Sequence, residues 1–124
     1  SDTGYWEYAY GNIEYSDLAS SEQYLFEGIV KVEISVDYVN DPAGRADLNV
    51  NHSNGSPSKT GVSTGTYTFN FSEPVDINQI EAEIGTTYND GDAEIRIDNV
   101  KLYKEHKEAV LSETIDNGDV SGSN

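Results

Sequence analysis

The 124-residue chain is predicted to be all-β, an antiparallel β-sandwich. Three observations carry that prediction. Apolar and polar residues alternate with a period of two in stretch after stretch, the pattern of strands with one buried and one wet face. Turn-forming clusters separate these stretches, notably "NDPAG" at 40–44 and "NDGD" at 89–92. The length fits one domain, and a hydrophobic content of 35% supports a core only if the apolar residues are well placed. The expected organisation is one sandwich over residues 1–105, with 106–124 as a C-terminal tail or an extra strand.

The first elements are the least regular. Trp6, Tyr8 and Tyr10 share one parity, and Ile13 and Tyr15 take the other after Gly11. Residues 16–22 read as a loop or one helical turn, and "QYLFEG" at 23–28 as a short apolar segment. "IVKVEISVDYV" at 29–39 is the clearest strand. It puts Val30, Val32, Ile34, Val36 and Tyr38 on one face and Lys31, Glu33, Ser35 and Asp37 on the other. The turn at 40–44 joins it to "RADLNVNH", where Ala46, Leu48 and Val50 continue the alternation, so the two form a hairpin. A long polar loop, "SNGSPSKTGVSTG", covers 53–65; loops of this length are often functional or mobile. "TYTFNF" then aligns Tyr67, Phe69 and Phe71, and "INQIEAEIG" aligns Ile80, Ala82 and Ile84. After Tyr103 the pattern decays. The remaining residues fit a tail, a short helix over 105–111 or a strand over 109–115. No internal repeat is evident.

The last strong strand, "AEIRIDNVKLY" at 93–103, interrupts itself. Ile95 and Ile97 share one parity while Val100 and Leu102 share the other. A β-bulge at Asp98-Asn99 reconciles them, because one extra residue returns the chain to its inward phase. Asp and Asn side chains can satisfy the backbone groups that a bulge frees. Asp98 is in addition a candidate ligand for calcium, a hard cation that takes oxygen donors.

Residues 65–103, "GTYTFNFSEPVDINQIEAEIGTTYNDGDAEIRIDNVKLY", resemble the C-terminal half of jelly-roll carbohydrate-binding modules attached to xylanases and glucanases. Such modules commonly end with a "tyTFtF" strand, a polar turn, a strand closing on Gly and a final "IxIDNVxL" strand; residues 29–52 would supply the preceding hairpin. The resemblance implies a jelly-roll winding, an extracellular or cell-surface location, polysaccharide binding and a structural calcium near Asp98. It implies no organic cofactor.

The residues fit that function in one way. Tyr5, Trp6, Tyr8, Tyr10 and Tyr15 crowd into eleven positions. Sugar rings stack their C–H faces on aromatic side chains, and neighbouring acids and amides bind the hydroxyls. Aromatics of this kind also serve in assembly interfaces and in cores. Tyr88 is a further candidate, as are Tyr24 and Tyr38, whereas Tyr67 belongs with the core. In "NDGDAE" at 89–94, Asp90 and Asp92 are candidate cation ligands, beside the plainer reading of a solvated turn; the stretch is too short for an EF-hand.

Nothing points to catalysis. His52 and His106 have no nucleophile at motif spacing, and neither "GxSxG" nor "HExxH" occurs. Acids are so frequent that no carboxylate pair stands out.

Charge narrows the partners. With 23 acids against 7 bases the formal charge is -16, which excludes electrostatic binding of nucleic acid. It also disfavours anionic membranes, and no apolar run is long enough to insert. The acids are dispersed, as on a solvated surface screened by salt or divalent cations. The chain lacks cysteine and methionine, and its first residue is Ser1, which suggests that it was processed or excised. Three Asn-x-Ser triplets, at Asn51, Asn54 and Asn70, are of the number that chance supplies in a chain rich in Asn and Ser. The partners expected are polysaccharide or copies of the chain itself. In the second case the protein is a self-assembling subunit of a filament, pilus or sheath, with "YWEYAY" or "EAVLSETI" donated as a strand to a neighbour.

Overall fold

The computed structural model describes residues 7–42, 44–86, 93–105, 109–113 and 119–121. Its strands are β1 (Glu7–Glu14), β2 (Ile29–Asn40), β3 (Ala46–His52), β4 (Ser58–Lys59), β5 (Gly65–Val75), β6 (Ile77–Thr86), β7 (Glu94–Tyr103), β8 (Ala109–Glu113) and β9 (Asp119–Ser121). They form two antiparallel sheets, ordered β1-β6-β3-β4 and β5-β2-β7-β8. β9 joins the second sheet by sharing the outer edge of β7: β8 lies against Val100–Tyr103 and β9 against Glu94–Arg96. The protein is the predicted all-β antiparallel sandwich.

Alternation builds the core. Ala46, Leu48 and Val50 of β3 and Ile80, Ala82 and Ile84 of β6 face Val32, Ile34 and Val36 of β2 and Ile95, Ile97, Val100 and Leu102 of β7; all are buried. Burying one such aliphatic side chain contributes about 1.5–3 kcal/mol, which is how a chain with few apolar residues holds together. Phe26, from a 3-10 turn over Gln23–Phe26, is fully buried in the same cluster, as is Ile29 at the start of β2. A second 3-10 turn spans Tyr15–Asp17.

The interrupted strand is bulged where the alternation requires. Ser35 pairs with Asn99 and Val36 with Ile97, so Asp98 stands opposite nothing. All four inward residues of β7 are at 0% exposure, and Asp98 is exposed. A second irregularity answers the first. Val36 pairs with Ile97 but Tyr38 pairs with Arg96, which leaves Asp37 as an extra residue on β2. One bulge on each strand restores the original register, and it continues to Asn40 and Glu94.

These irregularities correct the reading of β2. Alternation places Val30 and Tyr38 inward, and the structure does not. Tyr38 is 39% exposed, and Val39 packs against the core instead, because the Asp37 bulge shifts the parity. At the other end Ile29 is buried and Val30 is half-buried. There the register jumps, from Ile29 opposite Val75 to Lys31 opposite Asn70, so that residues 71–74 of β5 bow out across Val30.

The connections are tied by side chains. The expected β2–β3 hairpin is not formed: β2 pairs with β5 and β7 and β3 with β4 and β6, so the turn carries the chain from one sheet to the other. Asp41 holds that crossing, receiving the Arg45 N–H on Oδ1 (2.7 Å) and the Ala46 N–H on Oδ2 (3.1 Å). Gly44 in that turn has φ of 69°, a left-handed conformation suited to glycine. The 53–65 segment is anchored more firmly than a free loop. It contains β4, Val62 is buried, and the Val62 N–H donates to the Ala46 carbonyl at 2.9 Å. After Tyr103, the strand alternative is the one observed, at Ala109–Glu113.

Candidate functional site

The outer face of the first sheet is a lattice of amides and carboxylates. Inward alternation on β1, β3 and β6 leaves Glu14, Asn49, Asn51, Gln79, Glu81 and Glu83 on the wet side, and antiparallel pairing lines them up in rows. In one row Gln79 Nε2 donates to Glu14 Oε1 at 3.1 Å, and Asn51 Nδ2 donates to Gln79 Oε1 at 2.6 Å. In the next, Ser58 Oγ donates to Asn49 Oδ1 at 2.6 Å and Asn49 Nδ2 to Glu81 Oε1 at 2.9 Å. Such bonds hold each amide in one orientation and leave its remaining donors and acceptors facing solvent.

At the end of the first row the sheet gives way to Tyr15. β1 stops at Glu14 and the 3-10 turn begins with Tyr15, whose half-buried ring packs against the margin of the core. The ring borders two adjoining clefts. One, of about 330 Å³, is lined by Glu14, Tyr15, Ser16, Asn51, Asn78 and Gln79. The other, of about 200 Å³, is lined by Tyr15, Glu27, Asp76, Ile77 and Asn78. Asn78 reaches both because it is itself a bulge: Asn51 pairs with Gln79 and His52 with Ile77, so Asn78 is the extra residue of β6. Bulges often re-aim a side chain beside a functional site.

Tyr15 is fixed by its hydroxyl, which donates to Glu27 Oε2 at 2.8 Å. That bond, together with burial and the charges of Glu27 and Asp76, raises the phenol above its ordinary pKa and keeps it protonated. Asp76 is held in turn. Its Oδ1 accepts the Gly28 N–H at 3.1 Å, and its own N–H donates to Ser53 Oγ at 3.1 Å. The ring therefore stands on a network that spans three connections.

Among the candidate aromatics whose side chains are described, Tyr15 is the one that lines a cleft. Tyr8 and Tyr10 lie on β1, where the register sets them against Gly85 and Glu83. Tyr5, Trp6, Tyr88, Asp90 and Asp92 lie outside the described residues. Tyr24 is 57% exposed with Lys104 Nζ 5.2 Å from its ring centre, and Tyr38 is stacked by Arg96 at 4.5 Å. Neither borders the Tyr15 clefts. Asp98 sits exposed on its bulge. Among the described residues no group of three or more His, Asp or Glu side chains is assembled for a metal.

A larger groove, about 550 Å³, lies where the sheets end on β4 and β5. His52 and Phe71 meet there edge to face, with ring centres 4.8 Å apart, and Asn54, Lys59, Asn70 and Glu73 surround them. His52 Nδ1 accepts the Asn54 N–H at 3.0 Å, so the neutral ring carries its proton on Nε2. Burial lowers the His52 pKa. Alternation assigned Phe71 only to the inward face of its strand. The signal available in the sequence was charge: Lys59 is the single charged residue in 48–72, in a chain that is 24% charged.

Comparison of the chain with known protein families, curated proteins and solved structures found no match. No helix among the described residues is long and apolar enough to cross a membrane.

Proposed function

We propose that the protein is a non-catalytic, extracellular carbohydrate-binding module of jelly-roll winding, and that it holds its ligand at Tyr15 on the outer face of the β1-β6-β3-β4 sheet. One observation carries this reading: an aromatic ring, pinned through its hydroxyl, borders two clefts, one walled by the hydrogen-bonded Glu14, Asn51 and Gln79 and the other by Glu27 and Asp76, with Asn78 lining both. A pyranose has an apolar C–H face and an equatorial rim of hydroxyls. The ring face suits the first, because its π cloud attracts the positively polarised C–H groups. The amides suit the second, since each offers a donor and an acceptor to a hydroxyl that is both. Sites of this kind join an apolar surface to a few well-placed polar groups.

The acidic surface bears on the choice of ligand. A polyanion would be repelled by a chain of charge -16, whereas a neutral polysaccharide meets no such penalty. The reading involves no metal. Its test is retention on a panel of neutral polysaccharides in affinity gels. Wild-type protein is retained by at least one of them, and Tyr15→Ala loses that retention. Retention unchanged in Tyr15→Ala would place the binding elsewhere.

A further inference from the structure

We propose that the β5 edge is a self-association surface, on which a second copy of the chain docks by antiparallel pairing of its own β5 along Gly65–Asn70. Among the described residues β5 has a single strand neighbour, β2, and so ends its sheet. The facing sheet ends in β4, which is two residues long and too short to cover an eleven-residue strand. An edge of that length presents a row of backbone donors and acceptors, which proteins normally guard with charges, prolines or bulges. β5 has such guards only at its far end: the bowed segment 71–74 contains Glu73 and Pro74. The regular part, Gly65–Asn70, has no charge at all.

Electrostatics argues for a second copy as the occupant. Two chains of charge -16 repel each other wherever acids meet, and acids are dispersed over nearly the whole sequence. The exception is 48–72, whose single charge is Lys59. That segment holds β4 and the Gly65–Ser72 part of β5, with Glu73 the one acid beyond it on the strand, so the Gly65–Asn70 edge with open hydrogen-bonding groups is also the place where two copies approach without opposed carboxylates. Thr66 and Thr68 face outward on this strand, and Thr pairs across strands are favourable. The contact differs from donation of a terminal strand, since β1 and β8 pair within their own chain. It is independent of carbohydrate binding at Tyr15.

The experiment is sedimentation velocity over a concentration series at low and at high salt, with three proteins. Wild type is expected to dimerise, more strongly at high salt, where the net repulsion is screened. The double variant Thr66→Glu, Asn70→Glu sets carboxylates against each other across the pair and is expected to raise the dissociation constant by about tenfold or more. Ser20→Glu with Ser21→Glu adds the same charge at exposed positions away from β5 and is expected to dimerise as wild type does. Circular dichroism confirms that each variant is folded. Hydrogen exchange at the 66–70 amides slows with concentration in wild type only if that edge is the contact. A monomer at both salt concentrations, association that survives the β5 charges, or equal weakening by the Ser20 and Ser21 charges would each overturn the proposal. So would unchanged 66–70 exchange in a dimer.

Discussion

Asp41 shows how much a single side chain can determine. Both of its oxygens accept backbone N–H groups, from Arg45 and Ala46, at the point where the chain leaves one sheet for the other. Asp41→Ala removes both bonds: the exposed Arg45 N–H turns to water, whereas the part-buried Ala46 N–H loses its acceptor, and leaving such a group unsatisfied costs about 1–3 kcal/mol. Urea unfolding should show a lower midpoint with an unchanged slope. The titratable residues make a pH prediction of opposite sign at the two ends of the scale. The folded pKa values of Tyr15 and Tyr103 lie above 10.0, chiefly because each hydroxyl donates to a carboxylate, Glu27 and Glu33 respectively. Their contribution is complete below pH 10 and fades as pH rises through the raised values. His52 is shifted the other way by burial, below its ordinary 6.5. Its contribution is complete above pH 6.5 and is lost as pH falls through the lowered value. Melting temperature against pH should therefore fall on both flanks. Tyr15→Phe with Tyr103→Phe should flatten the alkaline flank, and His52→Gln the acid one.

At the scale of the strand, the paired bulges are the feature that alternation reveals only by half. The parity break between Ile97 and Val100 lies within one strand, so the sequence exposes it. The answering bulge at Asp37 does not show, because Tyr38 is apolar enough to pass for an inward residue. Pairing is a relation between strands, and one strand's pattern carries no record of its partner's register. The same limit hid the Asn78 bulge, which joins the two Tyr15 clefts, and the exposure of Tyr38. Deletions test the compensation directly. Removing Asp98 alone, or Asp37 alone, slips the far part of the ladder by one residue against the turns that close it. Removing both leaves the inward residues of β2 and β7 in phase and in register. The double deletion should be more stable than the sum of the two single losses predicts, by at least about 1 kcal/mol in a double-mutant cycle. Additive losses would mean that the two bulges do not compensate.

For the molecule as a whole, the sandwich was legible because its core is written in period two, and a buried face admits little else. The site was less legible. The aromatic crowd near the N-terminus drew attention to Tyr15, but its partners Asn78, Gln79 and Asn51 come from β6 and β3, and Glu27 and Asp76 from two connections. Only folding brings them together, so no spacing in the chain could announce them. Charge organises the surface in the same non-local way. Acids and amides occupy the outer face of one sheet, while the β4–β5 side is nearly free of charge. The claim on which the functional account rests is that the Tyr15 ring is a sugar platform. The most direct measurement is the chemical-shift response of labelled protein titrated with a soluble neutral oligosaccharide from the polysaccharide that retains it. The account predicts shifts concentrated at Tyr15, Asn51, Asn78 and Gln79, and their loss in Tyr15→Ala at unchanged fold. Shifts confined to other surfaces, or undiminished in Tyr15→Ala, would contradict it.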